Sequence, residues 1–178
     1  MYIYCLSVYV KTGDHVKLHA TEKNLSKVGF FARKNTSELI DFFLKKICEH
    51  LITDGFECVV QNEYKCYVLT VNNHYYSLVS DNEVPKTMAY NICRSLSMKS
   101  IDELDLKKEI TQDLSKSKIS ILREDIEKVQ KIMEKNIELI LTREEKLDDL
   151  IKKSDELSES SKMFYRKAEK LNSCCILL

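Results

Sequence analysis

The residues best equipped for covalent chemistry are two adjacent thiols, Cys174 and Cys175, at the end of a 178-residue sequence. Cys175-Ile176-Leu177-Leu178 fits the C-a-a-X pattern, in which the cysteine sulfur is alkylated by an isoprenoid, and leucine at the last position favours geranylgeranyl over farnesyl. Cys174 is then placed for S-acylation by palmitate or for a second prenyl group. One lipid chain holds a protein to a bilayer marginally and reversibly, whereas two hold it stably. The pair therefore predicts attachment by covalent lipid, and no stretch of eighteen apolar residues offers a transmembrane helix in its place. The other reading is a fortuitous cysteine pair. Zinc is a poor fit, because no histidine or second cysteine pair stands nearby.

The second chemically informative residue is Arg143. Alternating steps of three and four from Ile119 reach Leu122, Ile126, Val129, Met133, Asn136, Ile140, Arg143, Leu147, Leu150, Ser154, Leu157, Ser161, Phe164, Ala168 and Leu171. Twelve of the sixteen positions are apolar, and the residues between them are mostly charged or serine. That is the seam of a coiled coil. No Gly or Pro follows Pro85, so the covalent chain allows one long helix. A guanidinium inside an apolar seam costs several kcal/mol, of order 3–5 when left unpaired. Two arrangements satisfy it. Arg143 sets the register of a homodimer, or three further helices each bring a neutral carbonyl such as glutamine to its five donors. Ser154, Ser161 and Ala168 are small layer residues and Phe164 a large one, which suits a bundle with bulky neighbours opposite.

Other chemistries find little support. The twenty-eight basic and twenty-eight acidic residues cancel, which disfavours nucleic acid. There is no G-x-x-x-x-G-K-[ST] loop, and three glycines in total leave no phosphate cradle. His15, His19, His50 and His74 lack metal-ligand spacing. Cys5, Cys48, Cys58, Cys66 and Cys93 are scattered through apolar runs, as reduced core thiols are. Met1–Val10 alternates and lacks a secretory apolar core. The chain is expected to be a cytoplasmic, non-enzymatic protein with no cofactor beyond covalent lipid and no metal.

The elements ahead of the seam form one domain. Tyr2–Val10 is apolar on both faces, as a central strand is. Thr12-Gly13-Asp14 turns the chain into a second strand, His15–Thr21. Asn35 reads as a helix N-cap with Glu38 completing a capping box. The helix Thr36–Ile52 then carries Leu39, Ile40, Phe43, Leu44, Ile47, Cys48 and Leu51 on one stripe, with Phe42 to its side. Three short strands follow, Phe56–Val60, Tyr64–Val71 and His74–Ser80, separated by polar turns. Pro85 opens a helix over Lys86–Lys99. The prediction is an α+β domain over 1–99 with an antiparallel five-stranded sheet flanked by helices. A linker (100–114) of short helices or tether, a coiled-coil segment (115–172) and a lipidation signal (173–178) complete the chain.

Several stretches resemble one known family, the lipid-anchored longin R-SNAREs. Residues 128–150, KVQKIMEKNIELILTREEKLDDL, are similar to the central part of a synaptobrevin-type R-SNARE motif, and SKMFYRKAEKLNSCCILL to the lipidated tail. SVYVKTG, GFFARKNTSELIDFF and SDNEVPKTMAY resemble the N-terminal longin domain. The joint at 100–114 is shorter than usual for such proteins. The resemblance implies a longin (profilin-like) fold and a function in membrane fusion. The seam, from Ile119 to Leu171, zippers with three Q-SNARE helices, and Arg143 is the ionic layer shielded by Ile140 and Leu147. It further implies autoinhibition in the cytosol. There the longin domain folds on the SNARE segment, and a groove including Phe42 holds segment and lipid. The membrane form would sit on the cytoplasmic face of Golgi, endoplasmic reticulum, endosomal or vesicle membranes, with a prenyltransferase among the partners. The competing reading from the residues alone is a non-fusogenic coiled-coil adaptor with a longin-like interaction domain.

Overall fold

The computed structural model describes residues 1–13, 15–100, 104–111, 123–141 and 146–174. The elements in order are β1 (Ile3–Thr12), β2 (His15–Lys23), a 3-10 turn (Phe30–Ala32), α1 (Arg33–His50), β3 (Gly55–Gln61), β4 (Tyr64–Val71), β5 (His74–Asp81) and α2 (Lys86–Ser97). They continue with α3 (Leu106–Thr111), α4 (Arg123–Gln130), β6 (Glu134–Asn136), α5 (Ile137–Ile140), α6 (Leu147–Lys153) and α7 (Glu159–Cys174).

The first five strands form the expected antiparallel arrangement, in the order β2-β1-β5-β4-β3. Alternation sends side chains to two faces. Cys66 and Val68 of β4 join the cluster beneath α1, while Tyr67 and Leu69 join the one beneath α2. Asn72 and Asn73 both take positive φ in the β4–β5 turn, the geometry that a tight hairpin demands and asparagine tolerates.

Three expectations are corrected. First, among the described residues the sheet has six strands and is mixed. β6 lies parallel to β3, with Cys58, Val59 and Val60 opposite Glu134, Lys135 and Asn136. It covers what would otherwise be an open strand edge. Second, Asn35 and Glu38 form no capping box. The 3-10 turn leads straight into α1, whose N-cap is Ala32 without a side-chain cap. Asn35 therefore lies within the first turn of the helix, and its side chain bonds elsewhere. Third, the coiled-coil segment is not one helix here. It is divided into α4, β6, α5, α6 and α7, which wrap around both faces of the domain.

The divisions have local causes. Asn136 caps α5, its side chain accepting from Glu138 N–H. The Ser154 hydroxyl accepts from Glu156 N–H at 3.1 Å, just where α6 ends in extended backbone. Ser158 Oγ accepts from Ser161 N–H at 3.3 Å in the manner of an N-cap. These side chains compete with the helix for backbone groups. A straight helix of fifty residues would run about 75 Å and could not follow the surface of a small domain. Short pieces can, and each buries its own apolar residues.

Candidate functional site: the groove on helix α1 and the segment docked in it

Helix α1 presents Leu39, Ile40, Leu44 and Ile47 toward the sheet, where they meet Cys5, Val59, Cys66, Val68 and Val79. The same cluster takes in residues more than ninety positions later in the chain. Ile137, Leu141, Leu147, Ile151, Leu157 and Tyr165 are all buried in it. The Phe43 and Tyr165 rings lie 5.9 Å apart. On the opposite face Leu106 and Ile110 of α3 and Val129 of α4 join the cluster built around α2. A groove of about 430 Å³ remains between α1, the sheet and α7. Its walls include Leu39, Ile40, Phe43 and Ile47 from α1, Val59 and Cys66 from the sheet, and Ile137, Phe164, Tyr165 and Ala168 from the segment. That size and apolar character suit a ligand of hydrocarbon type.

Polar contacts fix the segment's register. Ser158 donates its backbone N–H to Glu38 Oε2 at 3.0 Å and its hydroxyl to the same oxygen at 2.6 Å. The fully buried Ser161 places its hydroxyl 2.8 Å from that oxygen and 3.2 Å from Asn35 Oδ1. Asn35 also accepts from Ser160 Oγ at 3.0 Å. Lys45 pairs with Glu156. At the β6 edge Glu134 meets Lys65 at 2.8 Å and Lys86 at 3.5 Å, and Lys135 meets Glu57 at 2.7 Å. Each such pair is worth little on its own, but together they specify which residue faces which.

These bonds carry a pH signature. The Ser158 hydroxyl holds the Glu38 carboxyl below its ordinary range, with Ser158 N–H and Ser161 adding to the effect against partial burial. Glu134 is likewise lowered, chiefly by the Lys65 bond. Glu169 is raised, first by burial and then by the neighbouring Asp148. A depressed carboxyl stabilises the docked state above the ordinary carboxylate range and loses that contribution as pH falls through its docked value. A raised carboxyl does the opposite, weakening docking at neutral pH and relaxing once protonated. Acidification is therefore expected first to tighten and then to loosen the docked segment. A donor–acceptor dye pair across α1 and α7 reads this, and Glu38→Gln should reduce the loosening. A monotonic response would count against the assignment.

The residues predicted from the seam have mixed fates. Val129, Leu147, Leu157 and Ser161 are buried against the domain, and Ile126, Ile140, Leu150, Ser154, Phe164 and Ala168 are half-buried. Met133 is 75% exposed and Asn136 is a helix cap. Leu171 and Cys174 fall in the last turn of α7. Ile119, Leu122, Arg143 and Cys175 lie outside the described residues. Phe42 is buried in the α1 cluster, while its neighbour Phe43 lines the groove. The residues that seam reading missed are Ile137, Leu141, Ile151 and Tyr165. Each follows a seam position by one, so a second apolar stripe beside the first was the available signal.

The five cysteines of the domain are free and buried. Burial pushes Cys58 up to about 11 and Cys93 up to about 12, and raises Cys5, Cys48 and Cys66 as well. All five therefore stay protonated.

The sequence of the docked segment matches a known family. The synaptobrevin pattern covers residues 118–176. Over nearly the whole chain the sequence is 31% identical to the synaptobrevin homolog ykt6 of Schizosaccharomyces pombe, across 196 aligned positions covering 99% of this chain and 100% of that one. The chain belongs to the synaptobrevin family, among the ykt6-type longin R-SNAREs. The homologs from Saccharomyces cerevisiae and Candida glabrata are 28% and 31% identical, each over 100% of both chains. Family membership makes the segment docked on α1 an R-SNARE motif and the domain beneath it a longin domain. It also assigns the protein to vesicle traffic. Alignments of 196 to 206 positions exceed the 178 residues present, so these relatives carry residues that this chain lacks.

Proposed function

We propose that this R-SNARE drives vesicle-membrane fusion by zippering residues 119–171 with three Q-SNARE helices, and that the docked arrangement is its autoinhibited form. The observation that carries the second part is the burial of seam residues Val129, Leu147 and Leu157 against the longin domain. A side chain packed there is not available to three other helices, so docking and zippering compete. The first part rests on family membership and on the heptad series centred on Arg143, whose five donors suit three glutamine carbonyls.

The lipid belongs to the same account. Helix α7 runs on to Cys174 from Ala168 on the groove wall, a rise of about 9 Å over six residues. An apolar groove of that kind can shelter a geranylgeranyl or farnesyl group carried on Cys175, and palmitoyl on Cys174 supplies the second chain for stable anchoring. An exposed prenyl group and an exposed apolar seam both carry a cost in water. One domain hides both in the cytoplasm and releases them at the cytoplasmic face of a Golgi, endoplasmic reticulum, endosomal or vesicle membrane.

The test is assembly. The 115–172 segment, mixed with Q-SNARE helix sets from each compartment, is expected to give a cooperative four-helix complex with one of them, read by helicity and melting. Arg143→Ala should lower the melting midpoint by leaving carbonyls unpaired. A stable homodimer of the segment alone, indifferent to that substitution, would favour a coiled-coil adaptor instead.

A further inference from the structure

We propose that the turn carrying Phe30 and Phe31 is a membrane-contact site that seats the longin domain on an anionic bilayer. The two rings are 76% and 93% exposed, and they meet edge to face at 5.5 Å. Large apolar side chains held in water at that level mark an interaction surface. Their exposure is built into the fold. Ala32 N–H bonds Gly29 O at 2.8 Å, Val28 N–H bonds Leu25 O at 3.0 Å, and Asn24 N–H bonds Tyr4 O at 2.9 Å. Arg33 ties the turn further, donating to Val28 O at 3.0 Å and Ser26 O at 3.3 Å.

Charge selects the occupant. Residues 24–37 contain Lys27, Arg33 and Lys34 and no acidic residue, in a chain whose net charge is zero, and the preceding Lys23 is paired with Asp41 at 2.5 Å. The next carboxylate, Glu38, is turned to the docked segment, where it accepts from Ser158 and Ser161. Exposed aromatics rimmed by cations are the composition of an interfacial segment on anionic lipid. The site is also continuous with the groove, since Lys27 and Val28 line it. A domain seated through Phe30 and Phe31 would hold the groove's rim at the bilayer surface, where a sheltered lipid could pass directly into the membrane. That last step rests on the lipid-sheltering role proposed above; the contact itself does not.

The sequence contains no tryptophan, so Phe31→Trp is a background-free reporter. The full chain, expressed in bacteria without lipidation, is titrated with vesicles of phosphatidylcholine, with and without phosphatidylserine. The expected result is a blue shift of emission, quenched by brominated lipid, that is much stronger with phosphatidylserine. Within this reporter background, Lys34→Gln should weaken binding about fivefold and Phe30→Ser about tenfold. Both side chains are at the surface, so an unchanged thermal melt verifies folding. No shift with either vesicle overturns the proposal. So does a shift that appears only on adding cytosolic protein, which would make the turn a protein-docking site. Binding that ignores both phosphatidylserine and Lys34→Gln overturns it too. None of these outcomes touches assembly of the 115–172 segment with Q-SNARE helices, so the two readings fail separately.

Discussion

Replacing Ile137 and Ile151 with alanine is expected to open the docked segment while leaving four-helix assembly nearly unchanged. Both side chains are 1% exposed in the docked state, packed in the α1 cluster with Leu141, Leu157 and Tyr165. Truncating a buried isoleucine to alanine costs about 2–5 kcal/mol. That contact exists only while the segment is docked, so the cost falls on the docked–released equilibrium. Three kcal/mol, within that range, moves it by about a hundredfold. Neither residue is on the seam. Each follows a seam position, Asn136 or Leu150, and would flank the bundle core, where truncation costs a fraction as much. Met133→Ala should behave in the opposite way. Met133 is largely in water here but sits on the seam, so its loss should weaken the bundle and leave docking alone. Dye-pair efficiency across α1 and α7 reports docking, and melting of the assembled complex reports the bundle. Equal losses in both for every variant would mean that the two states do not use different faces of the segment.

Substituting serine for both Cys174 and Cys175 is expected to abolish stable membrane attachment, leaving only the weak, salt-sensitive contact of the Phe30–Phe31 turn. Every buried methylene of a lipid chain contributes about 0.8 kcal/mol to membrane binding, so two whole chains outweigh the contact that two phenylalanines and a few cations supply. The single variants should differ in degree. Cys174→Ser keeps one prenyl chain and should bind reversibly, washing off on dilution. Cys175→Ser removes the prenylation site and should behave like the double variant. Fractionation of cell lysates checks all three. Membrane association of the double variant that survives a high-salt wash, which screens the contact of the Phe30–Phe31 turn, would contradict lipid anchoring.

The domain was legible because its local signals and its packing agree. Alternation in Tyr64–Val71 and the apolar stripe from Leu39 to Leu51 each describe a face that is in fact buried. The segment was less legible. Its heptads specify a seam for partner helices, whereas docking depends on the neighbouring stripe of Ile137, Leu141, Ile151 and Tyr165. Strand β6 left no trace at all. Glu134-Lys135-Asn136 has no apolar alternation, and it pairs because β3 offers an open edge and Lys65, Lys86 and Glu57 offer charges. Asn35 and Glu38 misled for a related reason: a residue pair suited to capping is equally suited to receiving serine hydroxyls from a distant helix. The breaks at Asn136, Ser154 and Ser158 use residues that favour caps and turns, yet within a charged helix such residues are common and individually weak.

The central claim is that docking and zippering exclude one another. Hydrogen exchange on the full-length chain, before and after adding the three Q-SNARE helices with which it assembles, tests this most directly. Before addition, the amides of β6 and its edge with β3 should be protected by the pairing of Glu134–Asn136 with Cys58–Val60. After addition, protection should run continuously through residues 119–171 as one helix, while the exposed edge of β3 exchanges freely. If that edge stayed protected in the assembled complex, the segment would not have left the domain, and the account would be wrong.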